Sequence, residues 1–220
     1  LADQQPKPAW LYKYYYQDED GRGGVTATSP NYPITGYVIK KYNNPMDAWT
    51  GTGARHIQKA YPIIRYAEIL LSYAEALNNL TGPHTVELDG QPYTMSRDKE
   101  EIKKAFNQVR YRAGLPGLTA NQLNSTPEVQ KQIERERMVE FLWENRRFYD
   151  VRRWGIYEET EQEPIRGMNP DGATKETYYQ RVIPSSSSFL TRVVDKRSVW
   201  VPIPRNEMRR LPSLDQNPGY

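Results

Sequence analysis

Glu136, Glu140 and Glu144 recur at every fourth residue and would line one face of a helix. Glycoside hydrolysis needs two carboxyl groups facing each other across a sugar. Three carboxylates stacked on one helix beside Arg137, Arg147, Arg152 and Arg153 have instead the spacing of an ion-pair network. The remaining chemistry is sparse. His56 and His84 stand alone, and the 220 residues include no Cys, which excludes a thiol nucleophile and a Cys-ligated zinc site. There is no His-Glu-x-x-His pair, nucleophile elbow, P-loop or dinucleotide fingerprint. Asp18-Glu19-Asp20-Gly21 opens like a calcium loop but lacks the later ligands and the closing Glu. The chain reads as a non-enzymatic protein, with no catalytic residue, metal or cofactor assigned.

Recognition is better served. The chain has 17 Tyr and 5 Trp against 4 Phe, and Tyr and Trp combine an apolar face with a hydrogen-bonding edge suited to wet surfaces. Residues 1–66 contain nine Tyr, two Trp (Trp10 and Trp49) and no Phe. A formal net charge of +3, from 30 basic and 27 acidic residues, is no nucleic-acid footprint. No apolar run is long enough for a membrane-spanning helix. The chain opens without Met or a basic-then-apolar leader. The expectation is a piece of a longer protein whose signal peptide or lipid anchor lies upstream.

The elements that must position these groups are mostly helical. Residues 1–60 are loop-rich, read equally as a cover over a helical core or as a ligand-facing surface, with one short strand expected at 35–42. Pro62 is expected in the first turn of a helix whose Ile63, Ala67, Leu70, Ala74 and Leu77 share a face. Small Ala67 and Ala74 would admit a close partner helix at 98–113. That helix has an Asp98–Glu101 capping box, an apolar face of Ile102, Ala105, Phe106 and Val109, and Gly114 at its end. The two starts have nearly the period of a tetratricopeptide repeat, with 81–97 as an insertion. A longer helix is expected with Thr126 as its N-cap and Pro127 in its first turn, running to about Tyr149 with Met138, Phe141, Leu142 and Tyr149 on one face. Residues 156–198 lose periodicity. Residues 198–204 alternate as a strand would, and 211–220 are too Pro-rich for a helix.

Four stretches together carry a resemblance. Residues 66–77 (YAEILLSYAEAL) resemble a helix of the SusD/RagB family, whose members are outer-membrane lipoproteins that bind nutrients for a TonB-dependent transporter. Residues 106–115 (FNQVRYRAGL) are similar to its partner helix, and 134–155 (ERERMVEFLWENRRFYDVRRWG) to its Glu–Arg–Asp–Trp signature. Residues 200–204 with 216–220 (WVPIP and QNPGY) resemble its closing motif. The resemblance implies a mainly α fold, a tetratricopeptide-repeat-like scaffold with a loop-rich irregular region and a few short strands. On it, residues 61–220 would be a C-terminal helical domain behind the aromatic 1–60 region, with the N-terminal half of the protein absent. Trp143, Trp154 and Trp200 fall in scaffold motifs and are expected to be buried.

The resemblance also implies a surface-exposed lipoprotein of the cell outer membrane, anchored outside this chain, that closes over a SusC-like transporter. Its ligand would be an oligosaccharide, or in some relatives a peptide. Sugar rings stack C–H patches on aromatic faces and pair their hydroxyls with polar groups. Trp49, on its Gly-flanked loop, is the first candidate, with Asp47 and Arg55 as hydroxyl partners; Trp10 and Tyr32 follow. Core packing, or contact with the missing half, is the competing role for each. The rival from another class is a protein–protein adaptor built on the repeat helices.

Overall fold

The computed structural model describes residues 33–37, 39, 41–44, 46–47, 53–184 and 192–220. Contacts gather the chain into two compact units. One is Tyr61–Arg153, and the other joins the described residues up to Ala60 with those from Trp154 onward.

The first unit is helical: α1 (Tyr66–Asn79), α2 (Lys99–Arg112), the single turn α3 (Ala120–Leu123), α4 (Thr126–Glu140) and α5 (Arg146–Arg153). α1 lies against both α2 and α4, and its buried stripe is Ala67, Leu71, Ala74 and Leu77. Ala74 and Leu71 are fully enclosed, so the small side chains do admit the neighbouring helix. From α2 come Ile102, Ala105, Phe106 and Val109, and from α4 Val129 and Ile133, completing one apolar core. Asp98 caps α2 by accepting from the N–H groups of Glu100 and Glu101, and Gly114 takes φ +69° just beyond the helix end. Asn78, 1% exposed, ties α1 to two other segments. Its Nδ2 donates to Thr126 O at 3.0 Å, and its Oδ1 accepts from Arg97 Nη2 at 2.9 Å.

Several expectations shift. α1 begins at Tyr66, not Pro62, because Arg65 is extended (φ −124°, ψ 150°) and holds Glu140 and Glu144 with its guanidinium. Ile63 lies outside the helix, 80% exposed, its carbonyl engaged by Arg146. The 81–97 insertion is a β-hairpin, β1 (His84–Leu88) paired with β2 (Gln91–Met95), closed by Asp89 and Gly90 at φ 52° and 72°. That Asp-Gly pair between alternating residues was its sequence signal.

The long helix to Tyr149 is broken. Residues 141–145 form turns, and Trp143 and Asn145 adopt φ 64° and 60°. The cause is an ion pair. Arg137 donates from Nε and Nη2 to Asp150 at 2.9 and 3.0 Å across 13 positions, which on a straight helix would stand about 20 Å apart. Arg153 adds bonds to Asp150 at 2.9 Å and to Glu75 of α1 at 2.5 and 2.8 Å. The three glutamates are ion-paired as expected, but to arginines outside α4. Glu136 meets Arg110, Glu140 meets Arg65 and Arg112, and Glu144 meets Arg65.

The second unit is dominated by loops, with α6 (Tyr157–Glu161), α7 (Lys175–Tyr178), a 3-10 turn at Lys196–Val199 and α8 (Arg205–Arg210). The strand expected at 35–42 does not appear among the described residues. Gly36 closes a turn onto Pro33 O at φ +68°, and Tyr42 sits at φ 63°. Thr35 O and Gly36 O are instead taken by Met168 N–H at 2.9 Å and Tyr178 O–H at 2.7 Å. Residues 198–204 are also not a ladder strand, since Pro202 and Pro204 have no N–H to give. The Gln216 side chain substitutes for a neighbouring strand, accepting from Ile203 N–H at 2.8 Å and donating to Ile203 O at 3.0 Å. Asn217 and Tyr220 donate likewise to Val201 O and Trp200 O. The closing motif is thus one folded piece.

Asp150→Ala would leave the buried Arg137 guanidinium uncompensated and destabilise the helical unit by about 3–5 kcal/mol. Arg137→Met with Asp150→Leu should recover much of that loss in chemical denaturation. Gln216→Ala, which strips both partners from Ile203, should cost about 1–3 kcal/mol by the same measurement.

Candidate functional site

Of the residues expected to meet a ligand, Asp47 and Arg55 are described; Trp49, Trp10 and Tyr32 lie outside the described residues. Asp47 and Arg55 belong to one loop and close it from both sides. Asp47 Oδ1 accepts from Ile57 N–H at 2.8 Å, and Oδ2 is ion-paired with Lys59 Nζ. Lys59 also donates to Ile57 O at 2.9 Å, and Arg55 Nε donates to Met46 O at 2.8 Å. Asn44 orders the entry, its Oδ1 accepting from Met46 N–H and its carbonyl from Asp47 N–H.

The electrostatics agree with that geometry. The Lys59 ammonium, then the Ile57 N–H, holds the Asp47 carboxyl below its ordinary range, against the opposing effect of burial. Both Asp47 oxygens are therefore occupied in closing the loop. The terminal nitrogens of the exposed Arg55 have no partner among the described residues and are the better placed to meet a hydroxyl.

The stacked Glu136, Glu140 and Glu144, and the buried Glu75 and Asp150, offer no facing carboxyl pair, because each of these five is held by arginine. At Arg65, burial opposes the charge, but the bonds to Glu144 and Glu140 outweigh it and raise the pKa. At Arg153 the bond to Glu75 leads the rise. Among the described residues no cluster of three or more His, Cys, Asp or Glu side chains could hold a metal ion.

The expectation for the scaffold tryptophans is corrected. Trp143 is 61% and Trp200 55% exposed, and Trp154 is half-buried. Trp143 turns outward because its residue takes a left-handed backbone in the 141–145 break. With Met138, Leu142 and Phe148 it borders a cleft of about 370 Å³. A signature that assigns Trp to a helix interior gives no sign of this. Tyr37 and Tyr179 are exposed aromatics that the sequence reading also passed over; a Tyr-Tyr pair ending a short helix was the available signal for the second.

Comparisons with known proteins agree with this architecture. SusD-like protein P2 of Formosa agariphila is 26% identical over 231 aligned residues, covering 93% of this chain and 39% of that protein. The chain thus spans well under half the length of this curated relative. The crystal structure of a SusD-like protein from Bacteroides fragilis NCTC 9343 superposes with a TM-score of 0.51 at 34% identity, over 72% of this chain and 25% of that one. A sequence model of the SusD family matches residues 2–220. With the mainly α, tetratricopeptide-repeat-like scaffold and the closing motif folded as a unit, the chain belongs to the SusD family.

Proposed function

We propose that this protein binds oligosaccharides without transforming them and delivers them to a TonB-dependent, SusC-like transporter, as a lipoprotein exposed on the cell outer membrane. The observation that carries the reading is the SusD-family match along residues 2–220. The binding groups in this reading are Trp49 as the stacking face, Arg55 as a hydroxyl partner, Asp47 as the residue that closes the loop, and Trp10 and Tyr32 as further aromatics. Such platforms enclose less of a ligand than a deep pocket does, so affinity is modest and selectivity comes from loop shape. No helix among the described residues is long and apolar enough to cross a membrane; attachment by a lipid anchor is part of the proposal. A second reading, a protein–protein adaptor, draws on the exposed Trp143 and Leu142 of the helical unit.

Tryptophan fluorescence of the intact protein, titrated with plant and host oligosaccharides and with a mixed peptide pool, tests the proposal. A saturable response to one sugar class, lost in Trp49→Ala with the melting temperature unchanged, is the expected result. A response to peptides alone would replace sugar by peptide as the ligand, and a complex with the transporter that ignores both would favour the adaptor. The loop adds a pH signature. Because the folded Asp47 pKa is depressed, loop closure is fully present above the ordinary carboxylate value and is lost as pH falls through the folded value. Sugar affinity should therefore be level near neutrality and fall only below about pH 4, and Asp47→Asn should weaken binding at neutral pH.

A further inference from the structure

Tyr178 is 4% exposed, while the next residue, Tyr179, is 55% exposed. The two rings meet edge to face at 5.4 Å. At its far end the Tyr178 hydroxyl donates to Gly36 O at 2.7 Å, and the residue after Gly36 is Tyr37, 54% exposed. One buried tyrosine therefore links two exposed ones. The chain of contacts limits the distance from the Tyr37 backbone to the Tyr179 ring to about 13 Å, and from ring to ring to about 18 Å, a span that a hexasaccharide covers.

The base under these rings is closely fitted. A Cβ on Gly36 would stand 2.7 Å from Met168 Cβ and 2.9 Å from the Tyr178 hydroxyl, at a φ of +68° that favours glycine. A Cβ on Gly167 would stand 2.5 Å from Thr35 O. Backbone bonds fasten the same strip, with Met168 N–H to Thr35 O, Asn169 N–H to Tyr178 O, and Gly167 and Val182 exchanging both of theirs, all at 2.9 Å. Neither exposed hydroxyl has a hydrogen-bond partner among the described residues, and Gln180 and Arg181 stand exposed beside Tyr179.

We propose that Tyr37 and Tyr179 form a second, preorganised platform on which sugar rings stack, with Gln180 and Arg181 as hydroxyl partners. The proposal rests on the oligosaccharide reading above and adds a site apart from the 46–59 loop. Apolar faces with polar edges, on a base that does not have to be ordered on binding, suit a hydrated ligand. Tyrosine offers such area with only two side-chain torsions to fix.

Calorimetric titration of the intact protein with maltohexaose, cellohexaose, xylohexaose and mannohexaose, beside the peptide pool, tests it. For a sugar that the wild type binds, Tyr37→Ala and Tyr179→Ala should each weaken binding roughly three- to ten-fold. The double variant should lose more, and Tyr37→Phe and Tyr179→Phe should retain most of the affinity, all with unchanged melting temperatures. Wild-type affinity in the double alanine variant would overturn the platform while leaving the oligosaccharide reading in place. A wild type that responds to peptides only, or to no probe, would overturn both.

Discussion

Inside the helical unit, Arg137 and Asp150 are 5% and 4% exposed at the side chain and form a two-pronged pair. A buried guanidinium is tolerable only when its donors are met by a carboxylate of matching geometry, and that requirement reaches well beyond the two residues. Asp150 can come alongside Arg137 only if the chain reverses after α4, so the 141–145 turns and their two left-handed residues follow from it. The reversal sets α5 so that Arg153 reaches both Asp150 and Glu75 of α1. Arg137 also donates to Ser72 of α1 at 3.2 Å. Three helices are thereby fixed by one charge cluster, and the apolar core they enclose need supply volume rather than orientation.

This explains which parts of the fold were legible in the sequence. Features decided within four or five residues were read from side-chain type: the Asp98 cap, Gly114 past α2, Pro127 in the first turn of α4, and the apolar face of α2. The break after Glu140 was not, since the residues there include neither Gly nor Pro, and helix is what the local preferences favour. It is imposed by a pairing across 13 positions that no local pattern announces. The start of α1 failed for the same reason, because Arg65 is held extended by carboxylates 75 and 79 positions away. At 200–204 alternation was present, but two prolines excluded a ladder, and the Gln216, Asn217 and Tyr220 side chains took its place.

The candidate site divides similarly. Asp47 and Arg55 were singled out by type, as groups able to meet a sugar hydroxyl, and they do share one loop. Their partners, Lys59, Ile57 and Met46, were not foreseen, because an irregular loop has no period from which contacts can be inferred. Knowing those partners changes the chemistry. A carboxylate with both oxygens engaged shapes the loop, whereas an arginine bonded, among the described residues, through Nε alone leaves its terminal nitrogens unengaged by them. The tryptophans show the opposite error, since a scaffold motif was taken to mean a buried side chain. In Trp143 the motif residue is held by its backbone, and the ring is left facing outward.

The two units also differ in what holds them, and that difference bears on recognition. The helical unit relies on buried charge, which tolerates little substitution. In the loop-rich unit, the strip 33–36 is fastened by main-chain bonds and by glycines that admit no Cβ, so its side chains are not consumed in holding the fold. A strip fixed through its backbone can vary Tyr37, Tyr179 and Arg181 with small effect on stability. Side chains can change without cost to the fold where the backbone is already determined. Under the proposed sugar-binding role, changes of ligand would therefore fall beside the clamped glycines and the 46–59 bonds, and the arginine–carboxylate cluster would stay the same.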